Sequence, residues 1–177
     1  MRIIRGRLKG RKFTPPKGIP TRPTTDFAKE GLFNILENHF NLEQISYLDL
    51  FSGTGNLCYE YASRGCTDIT AVERFGKCSE FIHRKIEEFE IEGMTLMATD
   101  VFKFLPNSTR TFDLIFAGPP YALETMDSLP DLIFEYKLLN KGGWFILEHN
   151  PAHNYDEHPF FIHKRKYGTT IFSIFAQ

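Results

Sequence analysis

The chain has 177 residues, of which 42% are hydrophobic, and a formal net charge of -1 at pH 7. This size and composition predict one well-filled globular domain spanning residues 1–177. The N-terminus is charged from Arg2 and has no signal-peptide pattern, and no apolar stretch is long enough to cross a membrane. We therefore expect a soluble, cytoplasmic protein, and we predict that Cys58, Cys66 and Cys78, which lack CxxC spacing, are reduced thiols.

The charge is unevenly distributed along the chain. Eight basic residues precede the first acid, Asp26. They are Arg2, Arg5, Arg7, Lys9, Arg11, Lys12, Lys17 and Arg22. An acidic body with a basic N-terminal extension, residues 1–25, predicts that a polyanion docks at one place, although a solvated basic tail is the alternative. Within this extension, apolar and basic residues around Gly6 and Gly10 predict a small hairpin with a cationic face.

The remaining pattern alternates between strands and helices. A helix is predicted over residues 26–40, with Thr25 or Asp26 as its N-cap, and another over residues 129–139, closed by Gly142 and Gly143. Strands are predicted over residues 47–51, 68–72, 95–99 and 144–148 and over the apolar run 112–116, with helices between the first three and a closing hairpin over residues 160–176. This order predicts an α/β fold with a mainly parallel sheet, helices on both faces and an antiparallel pair at the end.

One predicted central strand runs directly into a rigid loop, in the stretch FDLIFAGPPY over residues 112–121. Gly118 frees the backbone, whereas Pro119 and Pro120 fix φ and remove two N–H donors. Tyr121 adds an aromatic face beside the outward carbonyls, so this loop could stack and hydrogen-bond a planar ligand that carries an NH group. The alternative is an ordinary turn after a strand.

Three other predicted strands have an acidic residue at or near their carboxyl ends. Asp49 precedes the Gly53 and Gly55 loop, while Glu73 and Asp100 end the next two strands. Ligands of such sheets sit beyond the carboxyl ends of the strands, so Glu73 could accept from ribose hydroxyls and Asp100 from an adenine amino group. Each acid alone could equally be a cap or a surface residue.

The glycine loop narrows the choice of adenosine ligand. It lacks the third glycine of the dinucleotide fingerprint, and the chain has no GxxxxGK[ST] phosphate loop, which disfavours NAD and ATP. An acid four residues before the first glycine suits a cationic sulfonium and ammonium better than phosphates. S-adenosylmethionine meets that description.

Five stretches together resemble a known family. They are RPTTDFAKEGLFNIL, LDLFSGTG, SRGC followed by VE, FDLIFAGPPY and RKYGTT. With the basic start, they cover nearly the whole chain, which is similar to the RsmD-type 16S ribosomal RNA guanine-N2 methyltransferases. The resemblance implies a Rossmann-like class I methyltransferase fold with a seven-stranded sheet, S-adenosylmethionine as the donor, and a guanine of 16S rRNA as the acceptor, free or in an assembling small subunit. We expect a monomer.

The resemblance also implies roles for individual residues. The methionine end of the cofactor would lie against Asp49, Phe51, Gly53 and Gly55, the ribose against Glu73, and the adenine against Asp100 and Val101, with Arg22 and Thr25 closing over it. The catalytic loop would be Gly118, Pro119, Pro120 and Tyr121. RNA phosphates would contact Arg2, Arg5, Arg7, Lys9, Arg11, Lys12, Lys164, Arg165 and Lys166.

One position departs from the family pattern. The family has Asp or Asn before Pro-Pro, and here the residue is Gly118. Three accounts are open: backbone carbonyls suffice, a nearby acid such as Glu124 substitutes, or activity is much reduced. The alternative function is a noncatalytic RNA-binding or ribosome-assembly factor that retains the fold. We predict no metal site, because His149, His153 and His158 lie on a loop without a metal-binding pattern.

Overall fold

A central seven-stranded sheet carries the fold of the computed structural model, which describes residues 1–19 and 24–177. Its strands are β1 (Ser46–Asp49), β2 (Asp68–Val72), β3 (Met94–Met97), β4 (Phe112–Ala117), β5 (Leu139–His149), β6 (Phe161–Tyr167) and β7 (Thr170–Phe175). The helices are α1 (Asp26–Glu37), α2 (Asn56–Ser63), α3 (Gly76–Glu88), α4 (Val101–Phe104) and α5 (Leu129–Glu135).

The strand order is β3-β2-β1-β4-β5-β7-β6. The first five strands in this order pair in parallel, and β7 pairs antiparallel with both β5 and β6. The predicted mainly parallel sheet with an antiparallel end is therefore confirmed. The chain continues from β1 to β2 on one side and later returns to β4 on the other, so β1 and β4 flank the switch point at which such sheets bind ligands.

Alternating side chains of the sheet build a core on each face. Leu114 and Phe116 of β4 pack in the cluster that contains residues of α1, α2 and α3. Ile115 and Ala117 pack in the other cluster, together with residues of α4 and α5. Because both faces of β4 are covered, it is the short apolar run that the sequence predicts for a central strand.

Two predicted helices end earlier in the structure. α1 ends at Glu37, where Asn38 caps it, and not at residue 40. α5 ends at Glu135, and the predicted closing glycines lie inside β5 instead. Between its pairings with Phe112 and Leu114, β5 is irregular, and a Cβ on Gly143 would lie 2.8 Å from the Asp113 carbonyl oxygen. Gly143 therefore permits a close approach to β4, a contact that local sequence does not reveal.

The N-terminal segment, residues 1–13, packs on the body of the protein. The predicted hairpin is present: Arg2 and Lys12 form an antiparallel bridge, and the Ile3 and Phe13 N–H groups donate to the carbonyl oxygens of Arg11 and Met1 at 3.0 and 3.1 Å. Ile3, Leu8 and Phe13 are buried in the core that contains α2. The Glu60 carboxylate of α2 accepts hydrogen bonds from the backbone N–H groups of Ile4 and Arg5 at 2.8 and 3.0 Å. The alternative of a solvated tail is therefore wrong for residues 1–13.

Candidate active site

A cavity of about 410 Å³ opens at the carboxyl ends of β1, β2, β4 and β5. This volume lies within the usual range for a cofactor or small-molecule site. The predicted site residues that line it are Asp49, Phe51, Gly53, Glu73, Asp100, Val101, Gly118, Pro119, Pro120 and Tyr121. The structure thus brings together side chains that the sequence separates by about seventy positions, because parallel strands end at the same edge of the sheet.

The glycine loop between β1 and α2 needs glycine for its conformation. Gly53 and Gly55 have φ values of 54° and 78°, in the left-handed region. A Cβ on Gly55 would also lie 2.6 Å from the Tyr59 ring. The backbone of this loop can therefore pass close to a ligand. Gly55 itself is absent from the cavity wall and serves as the N-cap of α2, whereas its neighbours Thr54 and Asn56 line the cavity.

Asp49 is the most deeply buried acid of the site, with 2% of its surface exposed. Its Oδ2 accepts a hydrogen bond from the Cys58 thiol at 3.4 Å, while Oδ1 has no hydrogen-bond partner among the described residues. Burial raises the pKa of Asp49 to about 7, although the Cys58 contact opposes that change. A buried carboxylate with an unsatisfied oxygen favours a cationic partner, so the site fits the charge of a sulfonium and ammonium ligand.

Glu73 has a structural role that sequence reasoning missed. Its Oε2 accepts from the Gly53 N–H and its Oε1 from the Phe75 N–H, both at 2.8 Å. Burial raises the pKa of Glu73, and these backbone donors lower it in part. The same carboxylate therefore holds the glycine loop against the end of β2 and lines the cavity, where its remaining lone pairs could accept from hydroxyl groups.

Asp100 combines the predicted ligand position with the alternative role of a helix cap. Its side chain accepts from the Phe102 N–H at 2.9 Å and so caps α4, and it forms an ion pair with Arg74 at 3.2 Å. Asp100 and Val101 both line the cavity. The carboxylate is thus held in one orientation at the wall, as a hydrogen-bond acceptor for a ligand would have to be.

The two residues predicted to close over the cofactor have different outcomes. Arg22 lies outside the described residues. Thr25 is the N-cap of α1, where its hydroxyl oxygen accepts from the Ala28 N–H at 3.2 Å, and it does not line the cavity. Its neighbour Thr24 does line the cavity, and the Thr24 hydroxyl donates to Glu148 Oε2 at 2.7 Å.

Glu148 is an acidic site residue that sequence reasoning missed. It lies near the end of β5, is 6% exposed and lines the cavity beside Gly118. Its sequence signal is the one that marks Glu73 and Asp100, an acid directly after an apolar strand run. Glu124, the acid considered as a substitute for the missing Asp or Asn, is exposed and is not among the residues that line the cavity.

The basic residues predicted to bind RNA divide into two groups. Arg2, Arg5 and Lys164 form ion pairs with Asp26, Glu37 and Asp156, respectively. Arg7 donates to the carbonyl oxygens of Phe89 and Glu90. The other predicted cations are exposed and form no ion pair within the described chain: Lys9, Arg11, Lys12, Arg165 and Lys166. The second group can meet phosphates without breaking an ion pair within the described chain.

The three histidines predicted to lie on a loop have separate partners, and His149 is the last residue of β5 and not a loop residue. His149 contacts Ser173 at 2.8 Å, His153 contacts Asp127 and His158 contacts Asp131. In residues 1–19 and 24–177, no group of three or more His, Cys, Asp or Glu side chains could hold a metal ion. Over the same residues, every helix is too short or too polar to cross a membrane.

Comparisons with known proteins place this site in context. The family profile described as "Conserved hypothetical protein 95" matches residues 1–176. YlbH of Bacillus subtilis, whose name provisionally makes it an rRNA methyltransferase, is 33% identical over 154 residues, covering 85% of this chain and 83% of that protein. "Ribosomal RNA small subunit methyltransferase D" of Buchnera aphidicola is 31% identical over 148 residues, covering 82% of this chain and 76% of its own.

A solved structure gives the corresponding fold. The 16S rRNA N2 methyltransferase RsmC of Thermus thermophilus, in complex with AdoMet and guanosine, superposes with a TM-score of 0.71 at 21% identity. The match covers 90% of this chain and 45% of that one. At this level of identity the similarity concerns the fold.

Proposed function

We propose that this protein methylates guanine N2 in 16S rRNA. The premise is that the chain belongs to the "Conserved hypothetical protein 95" family of RsmD-type methyltransferases and has the class I S-adenosylmethionine-dependent fold. The observation that carries this proposal is the cavity itself. Its lining includes both the acids at the ends of β1 and β2 and the loop of residues 118–121. A donor and an acceptor can therefore meet in one place.

The donor half of the cavity fits S-adenosylmethionine. When bound, this cofactor supplies an electrophilic methyl group on a sulfonium. Asp49 would hold its cationic methionine end, since the buried carboxylate has an oxygen without a partner. Glu73 would accept from the ribose hydroxyls, and Asp100 with Val101 would hold the adenine, each from a position in the cavity wall.

The acceptor half suits a planar base with an exocyclic amino group. Pro119 and Pro120 stiffen the loop, and Tyr121 offers a ring on which a base can stack. Because the reacting edge of the base has to enter the cavity, the nucleotide must be unpaired or flipped, at a cost of a few kcal/mol. Two findings support the choice of guanine in rRNA. A relative is named as a ribosomal RNA methyltransferase, and the structure of RsmC contains guanosine.

Exposed cations support an RNA substrate. Lys9, Arg11 and Lys12 lie on the N-terminal segment, and Arg165 with Lys166 lies on β6. Each is exposed, so each can neutralise a phosphate and release a counterion. Arg7 keeps its charge, because its partners are neutral carbonyl oxygens, whereas Arg2, Arg5 and Lys164 would have to exchange their carboxylate partners for phosphates.

The experiment combines the purified protein with labelled S-adenosylmethionine and either undermethylated small ribosomal subunits or free 16S rRNA. Digestion of the RNA to nucleosides identifies the methylated atom, and we expect N2-methylguanosine. Tyr121→Ala should lower the rate at least tenfold because it removes the stacking surface. Tyr136→Ala, at an exposed tyrosine outside the cavity wall, is the matched control and should retain the rate.

Three outcomes would overturn the proposal. They are label on DNA or protein, label on a base other than guanine, and RNA binding without any methyl transfer. The last outcome would favour the noncatalytic RNA-binding or assembly factor.

A further inference from the structure

We propose that the Glu148 carboxylate takes the place of the Asp or Asn side chain that position 118 lacks, and so orients the amino group that receives the methyl. This inference rests on the proposed methyltransferase function and assigns a catalytic residue to it. It selects among the accounts of Gly118: a nearby acid substitutes for the missing side chain, and that acid lies on β5 and not in the loop at Glu124.

The register of two parallel strands places Glu148 beside Gly118. β4 and β5 pair with Phe116 opposite Ile146 and Ala117 opposite Leu147. One residue further along, Gly118 and Glu148 therefore lie side by side at the carboxyl ends of the two strands. Side chains alternate between the faces of a sheet, so both positions belong to the face that Phe116 and Ile146 share.

The distance across this pair is short. A Cβ on Gly118 would lie 3.7 Å from Glu148 Oε2. The carboxylate of Glu148 thus already occupies the region into which an Asp or Asn at position 118 would project its own polar group. Both residues line the cavity, so an amino group that reaches the Gly118–Pro120 loop also reaches this carboxylate.

Packing and a hydrogen bond hold the Glu148 carboxylate in place. The residue is 6% exposed, and the Thr24 hydroxyl donates to Oε2 at 2.7 Å. The Thr24 hydroxyl takes one of the about four lone-pair sites of an ionised carboxylate. A group held in this way needs little reorganisation when the reaction begins.

The chemistry of the transfer requires such an acceptor. The lone pair of an exocyclic guanine nitrogen is delocalised into the ring, and an acceptor in line with its N–H bond favours the geometry in which nitrogen attacks. As the bond from the methyl carbon to the donor sulfur breaks, a bond from that carbon to nitrogen forms. Sulfur becomes a neutral thioether, and nitrogen becomes positively charged until it loses one proton. Glu148 stabilises that charge and can accept the proton before passing it to solvent.

The test uses five proteins: the wild type, Glu148→Ala, Glu148→Gln, Gly118→Asp and the Glu148→Ala/Gly118→Asp double variant. Glu148→Ala should lower kcat by about a hundredfold, the usual effect of losing one catalytic hydrogen bond. Glu148→Gln keeps an acceptor oxygen without the charge, so its kcat should lie between those of the wild type and Glu148→Ala. The double variant should recover at least tenfold over Glu148→Ala. Asp can enter at position 118 if the Phe116 ring, 3.1 Å from the added Cβ, moves by a few tenths of an ångström.

Two further measurements separate a catalytic role from a structural one. Calorimetric affinity for S-adenosylhomocysteine and the melting temperature should change little in Glu148→Ala. Glu124→Ala, at the exposed acid of the neighbouring loop, is the matched control and should keep full activity.

The outcomes distinguish this inference from the function on which it rests. Wild-type methyl transfer with an equally active Glu148→Ala variant would overturn the role of Glu148 and leave the methyltransferase assignment standing. The role of Glu148 would also be overturned if Glu148→Ala loses activity, the added Gly118→Asp change does not restore it, and the affinity for S-adenosylhomocysteine or the melting temperature falls as well. Binding of S-adenosylhomocysteine without methyl transfer by any of the proteins would overturn the proposed function itself.

Discussion

Replacing Asp49 with Asn should stabilise the ligand-free protein, even though Asp49 belongs to the proposed cofactor site. Burial raises the pKa of this carboxyl from 3.8 to about 7 in the folded protein. Each unit of difference corresponds to about 1.4 kcal/mol, so ionised Asp49 costs the folded state about 4 kcal/mol above pH 7. An amide of the same shape carries no charge and removes that cost.

The sign of this effect fixes its pH dependence. Because the folded-state pKa is raised, the folded protein binds a proton between pH 3.8 and about 7 that the unfolded chain has released. The free energy of unfolding of the wild type therefore decreases as the pH rises through this window and levels off above it. Asp49→Asn lacks this dependence, so the two proteins should differ little at pH 4 and by about 4 kcal/mol at pH 8.

The assay is denaturant unfolding of the ligand-free proteins at several pH values between 4 and 8. Asp131→Asn is the matched control, since its side chain is 75% exposed, and it should change stability by less than about 0.5 kcal/mol. Asp49→Asn should also lose affinity for S-adenosylhomocysteine, because the ammonium then has no carboxylate partner. Equal stability of the wild type and Asp49→Asn at pH 8, or a variant less stable at every pH, would refute the reasoning.

Three other predictions concern the glycine loop, the buried ion pair and the RNA surface. Gly55→Ala places a Cβ 2.6 Å from the Tyr59 ring at a φ of 78°. The variant should therefore lose at least about 2 kcal/mol of stability and should bind the cofactor more weakly. An unchanged affinity by calorimetry would contradict this. Lys29→Met removes one of the two cations that contact the buried Glu60 carboxylate, the other being Arg64, and should cost about 3 kcal/mol in denaturant unfolding. A cost under about 1 kcal/mol for Lys29→Met would show that this pair matters little. Lys12→Ala should reduce the salt dependence of RNA binding by about one unit of log-log slope, and an identical slope would remove Lys12 from the RNA surface.

Local patterns in the sequence determined the order of the strands and most of the cavity wall. The strand Asp68–Val72 has the predicted bounds. A short run of residues that favour strands, set between turn residues, can be identified from the local sequence alone. Asp49, Glu73 and Asp100 could be placed together because each closes or follows a strand of a parallel sheet, and such strands end at one edge. The left-handed conformations at Gly53 and Gly55 could likewise be expected, because glycine adopts positive φ values readily.

Tertiary structure decided the features that depend on contacts between distant residues. The docking of residues 1–13 on α2 requires Glu60 to meet the backbone of Ile4 and Arg5, which no local pattern encodes. The raised pKa of Asp49 comes from burial by the whole fold. The neighbourhood of Gly118 and Glu148 follows from the register of β4 and β5, and register is a property of two packed strands. The sequence by itself therefore exposed the missing side chain at position 118, whereas only the packed sheet showed which carboxylate stands beside it.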